Sequence, residues 1–457
     1  MKLIKSYYLL IFIIAIYTQS GFSQREIDLQ EAIKLALNTN PGIKAAKSQI
    51  EEAEAKTLQA KSSFLPKANV ISKYMYSNNL PNFYPLLGVD LPIQNESGPT
   101  DEHVTLHPMA PYPDLNRDIF TFDYNMMYPV YTGHKRQNAV KLTKFLKKAY
   151  NENLKETKAS IILKIKSTFY NYLMINSVIS VYKDALKQLN EHLKLAEKAK
   201  EEGMRSEFDV LNFKSKIEGF KSEIINFEGK KKIVETALKN LTDLNIDENV
   251  VFTGNITEKY KEILAKEKIK LDSIIDSNYK LNYLDNMKKV LNKKIDIRKA
   301  DQLPVIFAFG NYHIYHGMDF PPFDKTWRSG YAIGMGVKID LFDGNMSKAQ
   351  IKEIKATDEK LSNYEDGLKL KLRIDYEKAI ETIKSLKSRK KAQETHLKVA
   401  EKAYEIAKIA YENGVITNIE LNDAQLNLTK IKTSILNFEK EILIQYANLE
   451  YMNGIFN

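Results

Sequence analysis

The chain has no cysteine among its 457 residues. That excludes disulfides, thiolate metal sites, cysteine catalysis and a lipid on an N-terminal cysteine. Long apolar runs are missing as well. After Met1, Lys2 and Lys5, an apolar stretch from Tyr7 to Tyr17 leads to a small-x-small end at Gly21-Phe22-Ser23. A spanning helix takes ~20 residues, so this run is too short. Its charged start and small-residue end predict a secretory signal over residues 1–23. No later stretch approaches spanning length, so any passage through a membrane must be made by β-strands. Histidine is scarce: His103 with His107 and His313 with His316 are the only close pairs among seven. Neither pair has ligand spacing on a defined element, so no metal is expected. Without a nucleophile motif or a glycine-rich phosphate loop, neither an enzyme nor a cofactor is expected.

The formal net charge is +10, of which Lys2 and Lys5 leave with the signal. Basic residues alternate with acids along the chain and form no stripe. This pattern is a solvated helical surface and argues against nucleic-acid binding.

What is present is said twice. Val130-Tyr131-Thr132-Gly133 is echoed by Leu341-Phe342-Asp343-Gly344, and Gly203 is echoed by Gly414, both at a spacing of 211 residues. In each copy about seventy glycine-poor, charged residues separate the two glycines. As a helix, such a segment is roughly 100 Å long. A chain that crosses a wide space needs such helices, and the doubling implies internal symmetry.

The periodicity divides the chain as follows. Repeat 1 covers 24–250, with strands at about 67–77 and 118–131, a long proline-rich loop over 78–117 and a helical hairpin turning near Gly203. Residues 251–270 read as a linker or small side structure. Repeat 2 covers 271–457, with strands at about 304–316 and 330–342 and a hairpin turning near Gly414. Asp28 is a candidate N-cap, with Glu31 completing a capping box and Pro41 ending the helix. Phe120, Phe122, Tyr124, Met126 and Tyr128 alternate with Thr121, Asp123, Asn125 and Met127. Tyr331, Ile333, Met335, Val337, Ile339 and Leu341 alternate with small or charged residues. One apolar face and one polar face at period two suit a membrane-spanning barrel strand. After the turns, Ser206 with Asp209 and Thr417 with Glu420 are spaced for capping boxes. Leu421, Ala424, Leu428, Ile431, Ile435 and Phe438 form a helical packing stripe.

Leu29-Gln30-Glu31-Ala32-Ile33-Lys34-Leu35-Ala36-Leu37-Asn38-Thr39-Asn40-Pro41 resembles the opening motif of TolC-like outer-membrane efflux proteins. Leu65-Pro66, the strand-end Gly133 and Gly344, and the paired hairpin turns extend the resemblance from about Asp28 to Gly454. It implies a mixed fold of long helices and a membrane β-barrel. Each protomer would give four strands, and a homotrimer would close a 12-stranded barrel on an α-helical periplasmic tunnel. It also implies a passive exit duct for a tripartite efflux pump or type I secretion system, partnered by a periplasmic adaptor and an inner-membrane transporter. The resemblance places a periplasmic gate at Tyr411, Glu420, Asp423 and Asp209. The basic gate position two residues after Gly414 is Ile416 here, and the equivalent place in the first copy holds Arg205. The alternative, a periplasmic coiled-coil scaffold or chaperone, accounts for the helices and leaves the four strands without a purpose.

Overall fold

The computed structural model describes residues 25–77, 89–95, 98–106, 117–265, 269–317 and 326–454. The signal expected over 1–23 lies outside them, as do residues 78–88, 96–97 and 107–116 of the expected loop and 266–268 of the expected linker. In the first half, β1 (Arg25–Ile27), α1 (Leu29–Thr39) and α2 (Pro41–Ser62) precede β2 (Lys67–Ser77), β3 (Val89–Asn95) and β4 (Gly98–Leu106). Then come β5 (Arg117–Tyr131), α3 (Lys135–Glu201) and α4 (Glu207–Thr242). β6 (Val250–Phe252) and α5 (Ile256–Leu264) lead into the second half. That half is α6 (Leu271–Ser277), α7 (Tyr279–Lys299), β7 (Val305–His316), β8 (Arg328–Lys338), α8 (Met346–Glu412) and α9 (Asn418–Met452). The helices α3 and α8 are each 67 residues long.

The chain divides into two units: residues 1–55, 143–291 and 355–457 form one, and 56–142 and 292–354 the other. In the first unit Asp28 caps α1, accepting from the Glu31 amide at 2.8 Å. The expected capping box is only half made, because the Glu31 carboxylate is drawn to Arg25 at 3.0 Å. A core cluster unites Ile27, Ile165, Phe169, Phe252, Ile256 and Ile442. The span expected as a linker feeds this core. There β6 pairs in parallel with β1, and Thr257 on α5 donates to Glu439 Oε2 at 2.7 Å.

In the second unit the sheet order is β2-β5-β7-β8, all antiparallel, so the two repeats meet at the β5–β7 pair. The register gathers Val70, Tyr74, Phe120, Tyr124, Met126, Tyr312, Tyr331, Ile333 and Met335 on one face. The opposite face carries Lys73, Asp123, His313 and a ladder of amides, with Asn311 donating to Asn125 at 2.8 Å and Asn125 to Asn69 at 3.3 Å. The alternation along β8 has a packing cause: a Cβ on Gly334 or Gly336 would meet the Phe309 or Phe307 ring at 2.8 or 2.5 Å. Two expectations are corrected. The last strand ends at Lys338, not at residue 342, because its partner begins at Val305 and Pro304 offers no N–H to extend the ladder. Within 78–117 the chain does form sheet: β3 and β4 pair as a two-stranded hairpin, where each strand is an edge and so tolerates proline.

Each sheet-to-helix junction uses two left-handed residues, Gly133 with His134 and Gly344 with Asn345 (φ of 59°, 65°, 66° and 65°). A Cβ on Gly133 would stand 2.8 Å from Leu303 Cβ, whereas one on Gly203 (φ 75°) would meet nothing within 4 Å. Gly133→Ala is therefore expected to cost about 2–3 kcal/mol and Gly203→Ala about 1 kcal/mol. Thermal melts of the two variants side by side check this, and equal losses would refute the packing account.

Candidate functional site

The two hairpin turns are built alike, atom for atom. In the first, Met204 N–H donates to Ala199 O at 2.8 Å and Gly203 N–H to Lys200 O at 2.9 Å. In the second, Val415 donates to Ala410 at 2.8 Å and Gly414 to Tyr411 at 3.0 Å. These are Schellman closures, in which the residue at positive φ is glycine because a Cβ is strained there. Gly203 and Gly414 have φ of 75° and 76°.

Each following helix begins with a complete capping box. Thr417 donates through its backbone N–H and its hydroxyl to Glu420 Oε2, at 2.8 and 2.9 Å. Ser206 does the same to Asp209 Oδ2, at 3.2 and 3.1 Å. The bonds from Thr417, backbone first, hold the Glu420 carboxyl below the usual carboxylate range. Both acids are thus engaged locally, satisfying helix ends that would otherwise leave donors bare.

The structure brings Arg205 and Tyr411 together across the two hairpins. Arg205 Nη2 donates to the Tyr411 carbonyl at 2.6 Å, and its guanidinium lies 4.4 Å from the Tyr411 ring centroid. Tyr411 is buried, packs edge-on against Phe213 at 5.6 Å, and has a hydroxyl with no partner among the described residues. Burial pushes that hydroxyl above its ordinary pKa. Ile416 packs against the apolar cluster that includes Tyr411 and Phe213. Asp423 is exposed, has no partner among the described residues and joins none of the other four. The Asp209 carboxylate stays on its cap, while its backbone carbonyl accepts from Asn418 at 3.2 Å.

Two hairpin-to-hairpin contacts are absent from the sequence reading. Asn212 donates to Asn418 Oδ1 at 3.2 Å. His192 Nε2 and the Tyr404 hydroxyl share a bond of 2.9 Å, both side chains buried. A signal for His192 existed, since His192-Leu193-Lys194-Leu195-Ala196-Glu197-Lys198-Ala199 is similar to His396-Leu397-Lys398-Val399-Ala400-Glu401-Lys402-Ala403. That likeness conceals opposite settings, because His396 is exposed.

A family whose description is outer membrane efflux protein matches residues 32–243 and 288–454. No protein of curated function matches the chain in sequence. Among solved structures, the outer membrane protein VceC of Vibrio cholerae is similar at 16% identity and a TM-score of 0.72, covering 93% of this chain and 96% of its own. The CmeC outer membrane channel of Campylobacter jejuni gives 16% and 0.72, covering 93% and 85%. The open-state MtrE outer membrane channel of Neisseria gonorrhoeae gives 14% and 0.72, covering 93% and 88%. At these identities the likeness is one of fold.

Burial, then the nearby Lys408, lowers the His192 pKa below its ordinary value. The unfolded chain therefore takes up this proton first, so the stability from His192 is full above the unfolded value near ~6.5 and is lost as pH falls from there through the lowered folded value. Wild type is expected to lose more of its thermal midpoint between pH 7 and pH 5 than His192→Gln. Parallel losses in the two proteins would refute the assignment.

Proposed function

The chain belongs to the outer membrane efflux protein family, and on that premise we propose that three copies close a 12-stranded barrel above a periplasmic tunnel of helices. As a member it is an outer-membrane efflux channel and not an enzyme. The finer reading is a passive exit duct, coupled to a periplasmic adaptor and an inner-membrane transporter in a tripartite pump or a type I secretion system.

One observation carries this reading. The four-stranded sheet ends on both sides in strands whose outer edge has no partner among the described residues, β2 and β8. The apolar side of β8 is laid open as well, with Tyr331 at 78% and Ile333 at 83% exposure. No described helix is long and apolar enough to cross a membrane. A sheet that presents apolar side chains outward and open backbone edges is stable in a bilayer only when its edges are paired. Joining β8 of one copy to β2 of the next pairs every edge, and three copies of four strands give twelve. The amide ladder and Lys73 would then face the lumen, as polar residues do in such barrels.

The hairpin turns serve as the gate of this reading. Arg205 on Tyr411 ties the two hairpins of one protomer together, in place of the basic residue that Ile416 displaces. Asp423, uncommitted to any cap, is the acid that three-fold repetition would gather around a narrow tip, where like charges concentrate negative potential and favour cations. An adaptor that draws the hairpins apart supplies the opening, and the transporter supplies the energy.

Recording the purified protein in planar lipid bilayers tests this. Wild type is expected to give discrete cation-selective openings, and Asp423→Ala larger or less selective ones. Protein that stays soluble and conducts nothing would sink the barrel and favour the scaffold. Openings indifferent to the substitution would keep the duct and move the gate elsewhere.

A further inference from the structure

On α9, Asn418, Asn422, Gln425 and Thr429 follow one another at intervals of four, three and four residues, each at most 3% exposed. That spacing sets them on one face of the helix, beside the apolar stripe of Leu421 and Leu428. Asn418 is satisfied, accepting from Asn212 and donating to the Asp209 carbonyl. One turn further on the pairing fails. Neither the Nδ2 nor the Oδ1 of Asn422 has a partner among the described residues, nor has Gln425 Oε1 or Thr433 Oγ1. Gln425 Nε2 reaches Thr429 Oγ1 only at 3.5 Å, the outer limit of a hydrogen bond. Around the same apolar cluster, Tyr411 Oη and His192 Nδ1 are also unpaired.

Ten buried side-chain polar atoms lack a partner among the described residues, and six of them belong to these five side chains. Native interiors pair the large majority of such groups, so a concentration of exceptions in one joint calls for a physical reason. The apolar cluster of Phe213, Tyr411, Leu421 and Leu428 draws the hairpins together. The amides without a protein partner oppose it, because a buried polar group left unpaired costs free energy that a solvated one does not.

We propose that Asn422, Gln425 and Thr433 are positioning residues of the gate: left unpaired in the joined hairpins, they lower the cost of parting them. The proposal rests on the reading that the hairpins part during transport. Its logic is a population shift. A group that is worse off in one of two arrangements biases the equilibrium toward the other, whatever ligand finally selects it. Asn418, fully paired at the start of the helix, acts in the opposite sense and pins the joint.

The test is the pair of substitutions Asn422→Leu and Gln425→Met, which keep volume while removing the unpaired atoms, with Thr433→Val as an independent and smaller change. The thermal midpoint of the full-length protein in detergent is expected to rise by about 2 °C or more in the double variant. In planar bilayers its openings are expected to be at least about fivefold rarer. Asn418→Leu is expected to do the reverse on both readouts. A midpoint that falls or stays level in both the double variant and Thr433→Val means the atoms are satisfied and hold the joint shut, which overturns the proposal. A raised midpoint with unchanged opening assigns them to stability alone and overturns the gate role. Should wild type conduct nothing, the duct reading fails while the midpoints still decide whether the stripe is strained.

Discussion

An unpaired strand edge is a row of N–H and C=O groups that the hydrocarbon of a bilayer leaves unsatisfied. Here β2 and β8 are both such edges, and they belong to opposite repeats. The repeats already pair through β5 and β7, so one chain makes a continuous four-stranded segment and not two separate hairpins. In the proposed barrel, closure is then a matter of copies. The same edge rule accounts for the alternation of side chains: a barrel wall touches lipid on one side and water on the other, and period two is how a strand serves both. The polar side is filled from within the sheet. Phe307 and Phe309 lie across Gly336 and Gly334, filling space on a face that their neighbours on β8 leave empty.

Elements governed by local chemistry are legible in the sequence. Gly203 and Gly414 stand out because a Schellman turn needs a positive φ, and Ser206 and Thr417 because an acid follows each three residues later. The end of β8 is less legible. Ile339 and Leu341 continue the alternation, but a strand lasts only as long as its partner, and the partner reaches no further than Val305. The buried stripe of α9 is least legible. Asn418, Asn422, Gln425 and Thr429 follow helical spacing as faithfully as Leu421 and Leu428 do, yet amides and hydroxyls at that spacing read as a solvated face. Only the packing of neighbouring helices separates a solvent-facing polar stripe from a buried one.

The contact between Arg205 and Tyr411 shows how an internal repeat lets a basic side chain change places. Position 416 is the counterpart of position 205, and a basic side chain at either one borders the same joint from opposite hairpins. Placing it at 205 has an electrostatic consequence. The guanidinium meets a carbonyl and a ring, neither of which carries a formal charge, while the nearby carboxylates of Asp209 and Glu420 are held by their own helix caps. A charged residue held by neutral groups gives up less on separation than one in a buried ion pair, whose breaking strands an unpaired charge. In the proposed gate, such a joint would open without that penalty. On that reading closing falls to the apolar cluster behind Tyr411, a non-directional attraction that tolerates helices sliding past one another where an ion pair fixes a single register.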